Sequence, residues 1–127
     1  MKNTIKMLMI IAGLTQGTAV LGADFKIVGG EGNTMFTLET AEVTCDGQKN
    51  PEGKTIVSPK QTVNCKIDDL ALNNLSTPFG VKIILRDSKN EPAGVFAKLE
   101  NNKIKFGQPF GGAVGNDGAE SINLPSR

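Results

Sequence analysis

The sequence predicts an all-β fold, a small sandwich or barrel. Three observations predict it: short runs in which apolar and polar residues alternate, turn residues placed closely between those runs, and almost no helical period. At 127 residues the chain is of single-domain size.

The first element is an export signal. Lys2 and Lys6 precede the apolar stretch MLMIIAGLTQGTAV, residues 7–20, and the small residues Gly22 and Ala23 follow. That order of charged, apolar and small regions predicts a secretory signal peptide over residues 1–23, cut after Gly22 or Ala23. A spanning helix wants about 20 apolar residues. Gly13, Thr15, Gln16 and Gly17 interrupt this stretch, so no membrane span is expected once the signal is cleaved. What remains is one domain, 24–127, with an N-terminal extension at 24–31 and a glycine-rich tail at 107–118. The protein is expected to be exported to the periplasm, and from there to the cell surface or to be secreted.

The extension opens with DFKIVGGEG, residues 24–32, in which Phe25 and Ile27 alternate with Lys26 and Val28. Ile27-Val28-Gly29-Gly30 after Lys26 looks like the activation junction of a trypsin-like protease. Such an enzyme needs an imidazole to take the proton from its serine, and the chain contains no histidine. No other residues pair a nucleophile with a base, so the sequence predicts no enzyme.

Residues 35–45, MFTLETAEVTC, place Phe36 and Leu38 in one phase and Val43 and Cys45 in the other, a strand pattern with a slip that suggests a bulge. CDGQKNPEG is a turn-rich loop. KTIVS and TVNCKI read as short strands on either side of Pro59, with Val63, Cys65 and Ile67 on one face. DDLALNNL, residues 68–75, is long enough for a helical turn or two, capped by Asp68. GVKIILRD, residues 80–87, is the clearest strand, with Val81, Ile83 and Leu85 facing one way. GVFAKLE and NKIKFG form a pair joined by Asn101-Asn102. In the tail, with five glycines between Gly107 and Gly118, alternation returns only at AESINL, residues 119–124.

Composition narrows the function further. Of 14 Lys and Arg, Lys2 and Lys6 lie in the signal, and the remaining 12 face 13 Asp and Glu. A near-neutral domain without a basic run argues against nucleic acid, whose binding rests on neutralising phosphates. No histidine and no C-x-x-C pair means no metal site, and no cofactor motif is present. GQKNPEGKT, residues 47–55, imitates a phosphate-binding loop, but five residues rather than four separate its glycines and a β-branched run stopped by Pro59 follows, so it reads as a surface turn. The carboxylates Asp68-Asp69 and Glu39 with Glu42 read as solvated faces rather than acid/base pairs. With no Trp or Tyr and six Phe, little aromatic surface is expected for stacking on a sugar.

Cys45 and Cys65 are the only cysteines. In an exported chain they predict one disulfide, and closing a loop of this size stabilises a fold by roughly 3 kcal/mol on the chain-entropy model.

These features together resemble the subunits of chaperone–usher pili, the fimbrial proteins of Gram-negative bacteria. GNTMFTLETAEVTC, residues 32–45, looks like the family's first strand leading to its first cysteine, with Thr40 where a glycine is usual. GVKIILRDSKNEP, residues 80–92, is similar to its later strand and turn. The chain departs from the family in the closer spacing of its cysteines and in ending at NLPSR rather than in a strand with a penultimate aromatic. The resemblance implies an immunoglobulin-like sandwich lacking one strand, whose open groove receives a neighbour's N-terminal extension. It implies a periplasmic chaperone and neighbouring pilus subunits as partners, a part in surface attachment, and Phe25, Ile27 and Gly29 as donor-strand residues. The alternatives are an ordinary internal first strand, and a free-standing periplasmic or secreted binding or inhibitor module acting through the loop 46–53 or the glycine-rich tail.

Overall fold

The computed structural model describes residues 22–73 and 77–127; the predicted signal peptide therefore lies almost wholly outside the described residues. In chain order the elements are β1 (Ala23–Val28), β2 (Phe36–Leu38), β3 (Val43–Cys45), β4 (Ile56–Val57), β5 (Thr62–Ile67), α1 (Asp69–Asn73), β6 (Val81–Arg86), β7 (Pro92–Glu100), β8 (Lys103–Phe110), β9 (Val114–Asn116) and β10 (Ser121–Asn123). They make two five-stranded sheets, ordered β9-β10-β1-β5-β3 and β4-β2-β6-β7-β8. The architecture is a β-sandwich with one disulfide, Cys45–Cys65.

Alternation builds each strand and sets its face. In β5, Val63, Cys65 and Ile67 are buried while Thr62, Asn64 and Lys66 are exposed. In β6, Ile83 and Leu85 point inward, beside their register partners Val95 and Ala93 of β7, which are buried as well. The fully buried side chains Ile27, Phe36, Val57, Val63, Ile67, Ile83, Leu85, Val95 and Ile122 come from both sheets and form one core between them.

The phase slip in residues 35–45 has a different cause from the bulge its pattern suggests. β2 pairs with β6 in one sheet and β3 pairs with β5 in the other, so the chain changes sheets between Leu38 and Val43. Thr40 secures the crossing: its hydroxyl accepts the N–H of Ile84 at 2.8 Å and donates to the Lys82 carbonyl at 3.1 Å. A β-turn, with the Val43 N–H on the Thr40 carbonyl, completes the step. Crossing to the facing sheet exchanges which phase is inward, hence the slip.

The turns follow their residues. Asn101 and Asn102 both take positive φ, 53° and 63°, as a two-residue hairpin between β7 and β8 requires. The loop that imitates a phosphate site is an Asx turn: Asn50 Oδ1 accepts the N–H groups of Glu52 and Lys54, both at 2.9 Å, and leaves no cradle of free N–H groups. Asp68 caps α1 through its carboxylate, which accepts the Ala71 N–H at 3.0 Å. The glycine-rich tail is more ordered than its composition suggests, since it contains the end of β8 and all of β9.

Candidate functional site: the slot of the N-terminal strand

β1 lies inside its own sheet. It runs antiparallel to β5 on one side and parallel to β10 on the other. Phe25 stands opposite Cys65, and Ile27 stands between Val63 and Ile122. Their alternation sends both side chains inward, Phe25 with 3% of its surface exposed and Ile27 with none, while Asp24 and Lys26 face solvent. The ring of Phe25 meets that of Phe106 edge to face at 5.9 Å, tying β1 to the facing sheet.

Gly29 marks where the strand leaves the slot. A Cβ there would run into the Ser58 carbonyl, so only glycine allows the backbone this close. Its N–H donates to the Gln61 carbonyl at 2.7 Å, and the Gly30 carbonyl accepts the Lys60 N–H at 3.0 Å. The disulfide lies one strand away: Cys65 is opposite Phe25 on one side and opposite Cys45 on the other, so the bridge fixes the wall of the slot that β5 provides.

A strap made by the last residues holds the exit. The Leu124 N–H donates to the Val28 carbonyl at 2.9 Å, the Glu31 N–H to the Ser126 hydroxyl at 2.9 Å, and the Asn33 N–H to the Arg127 carbonyl at 3.1 Å. Arg127 anchors the strap. Its guanidinium meets Asp87 Oδ2 at 2.8 Å, donates to the carbonyls of Glu91, Pro92 and Gly111, and lies 5.3 Å from the Phe36 ring centre. The Asp87 side chain keeps only 6% of its surface exposed.

The N–H of Glu91, first, and then Arg127 and the N–H of Lys89 hold the Asp87 carboxyl below its ordinary value of 3.8. A carboxylate depressed in the folded state stabilises the fold fully above the unfolded value and loses that contribution as pH falls through the folded one. The melting temperature is therefore expected to drop as pH falls below the ordinary carboxylate range, and Asp87→Asn is expected to lower it at neutral pH and flatten that acid limb. Thermal melts of both proteins across the acid range check this. An identical acid limb in both would remove Asp87 as its source.

Two of the carboxylates singled out in the sequence, Glu39 and Asp68, are engaged in structural contacts. Glu39 pairs with Lys54 at 3.2 Å, and Asp68 caps α1. Among the described residues, no three His, Cys, Asp or Glu side chains gather where they could hold a metal ion, and no helix is long and apolar enough to cross a membrane. Sequence reasoning missed the strap. Its one local signal was the alternation of Ile122 with Leu124, and nothing nearby marks Arg127 as an anchor. No family model, curated protein or solved structure matches the chain.

Proposed function

We propose that the protein is an exported structural subunit of a bacterial fimbria, in which β1 is the exchangeable strand. The observation that supports this reading is the slot. Lifting β1 out would leave β5 and β10 facing each other across an apolar groove lined by Val63, Cys65 and Ile122, with two rows of main-chain hydrogen-bonding groups uncovered. The β1 of a second copy is chemically identical and fits the same groove, so assembly exchanges one set of contacts for an equal set between chains. A periplasmic chaperone would hold the groove open before assembly, and the assembled array would serve surface attachment.

A second reading is favoured by the same pairing seen from the other side. Both edges of β1 are paired within the chain, and the short loop 29–35 keeps the strand at high effective concentration beside its own slot. A protein that never opens would be a free-standing periplasmic or secreted binding or inhibitor module.

Lys26 and Asn64 are in register on the exposed face of the sheet, which allows a direct test. One copy carries Lys26→Cys, a second carries Asn64→Cys, and the two are expressed together in the periplasm. Strand exchange predicts a disulfide-linked dimer from this pair and none from Lys26→Cys with Lys103→Cys. Monomers alone from both pairs would leave the free-standing module as the function.

A further inference from the structure

The outer face of the second sheet gathers what the sequence scatters. Strand register places Lys82, Phe96 and Gly107 in one row, Lys98 and Lys105 in the next, and Glu100 with Lys103 beyond it. A bulge between Gly107 and Phe110 adds a residue to β8, with Gln108 at φ 49°, and Phe110 stands beside Phe96. Phe79 joins them from the turn before β6, where the Thr77 hydroxyl oxygen accepts the N–H groups of Phe79 and Gly80, both at 3.1 Å. The rings of Phe79 and Phe110 meet that of Phe96 edge to face at 5.9 and 6.3 Å, and the Lys82 ammonium lies 5.1 Å from the Phe110 ring centre. Phe79 is 47% exposed.

Beside Phe79 runs an open cleft of about 330 Å³, bordered by Lys98, Lys105, Gln108, Glu100 and Asp117. Its floor at Gly107 is clear, with no atom within 4 Å of where a Cβ would stand. The charge on this face is lopsided. Lys98 and Lys105 stand directly opposite each other, a like-charge pair that, together with Lys82 and Lys103, is offset only in part by Glu100 and Asp117. Glu100, 3.4 Å from Lys98, is the one carboxylate among the rows that also hold Lys82, Lys103 and Lys105.

We propose that this face binds an anionic polysaccharide, one that carries carboxylates or sulfates on its sugar rings. The exposed Phe79 ring offers an apolar surface for the C–H face of a sugar, the lysines match its acidic groups, and Gln108, Glu100 and Asp117 can hydrogen-bond its hydroxyls. An acidic peptide fits less well, because a peptide must also satisfy its own main chain. The β8 edge that would do so is interrupted at two positions: the Phe106 N–H is already taken by Asp117 Oδ1 at 2.9 Å, and Pro109 has no N–H to offer.

The exported domain is near neutral overall, so retention on a polyanion reports this face rather than net charge. The exported protein is applied to immobilised heparin and polygalacturonate, with dextran as the neutral control and polyglutamate as a soluble competitor. Retention on both acidic glycans, elution by salt, and passage through dextran are expected. Lys98→Ala with Lys105→Ala is expected to weaken binding about tenfold or more, through lost charge pairing. Phe79→Ala, which leaves the charge unchanged, is expected to weaken it roughly fivefold through lost ring contact. Circular dichroism melts confirm that the variants fold. Absence of retention overturns the proposal, as does full retention by Phe79→Ala, which would mark simple ion exchange. Polyglutamate that displaces the protein as well as free glycan does would transfer the surface to an acidic peptide. None of these outcomes depends on whether β1 exchanges between chains.

Discussion

Ile27→Asp is expected to unfold the protein outright. Ile27 has no exposed surface and sits in β1 between Val63 and Ile122, paired on both sides. Truncating a buried isoleucine to alanine typically costs about 2–5 kcal/mol. A charged, unpaired carboxylate in the same place costs several kcal/mol more unless it takes up a proton. A domain of this size has about 5–15 kcal/mol in total, so the substitution removes most or all of it. Lys26→Asp, one residue away on the solvent face, is the control and should fold normally, since Lys26 is exposed. Loss of the cooperative melt in Ile27→Asp alone is the expected result, and a melt unchanged from the parent would mean that β1 does not occupy the slot. The variant also probes assembly. If a peptide covering residues 23–30 restores folding when added in trans, the slot accepts a strand from outside the chain, as the fimbrial reading requires. An intact slot that rejects every added strand would favour the self-contained module.

The parts of this fold that were legible in the sequence are those in which one local pattern has one meaning. In β6 the run Val81, Ile83, Leu85 and in β7–β8 the Asn101-Asn102 turn each specify their structure through neighbours a few residues away, and both stand where they were expected. The slip between Leu38 and Val43 was visible but ambiguous, because a bulge and a change of sheet both invert the phase. The tail misled by composition. Gly115 is needed because the Phe106 ring lies on it, a tertiary reason that reads locally as looseness. Long-range pairing left no local mark at all. The parallel contact of β1 with β10 joins segments almost a whole chain apart, and Arg127 binds atoms of residues 87, 91, 92 and 111 at once. The grouping of three rings left no local mark either: Phe79, Phe96 and Phe110 lie apart in the chain, and the register of β7 and β8 with the turn before β6 brings them together.

Removing the disulfide through paired Cys45→Ala and Cys65→Ala substitutions is expected to cost about 2–4 kcal/mol. The two cysteines face each other in register across β3 and β5, with Cα atoms 4.0 Å apart and a sequence separation of 20. β3 is only three residues long and lies at the edge of its sheet with β5 as its one neighbour, so main-chain pairing alone holds it weakly. The bridge restrains the loop from Asp46 to Asn64 in the unfolded chain and keeps β3 on β5 in the folded one. Its loss should therefore act in two places. Global stability falls, read as a lower denaturant midpoint, with a slope that is steeper if anything because the uncrosslinked chain exposes more surface on unfolding. Locally, amide exchange should rise in β3 and in the loop anchored by the Asp46 carboxylate on the Asn64 N–H at 2.8 Å, more than in β6 and β7 on the facing sheet. Because Cys65 also stands opposite Phe25, protection in β1 is expected to fall with it, while a variant that keeps the parent midpoint would show that β3 and β5 hold the slot without the bridge.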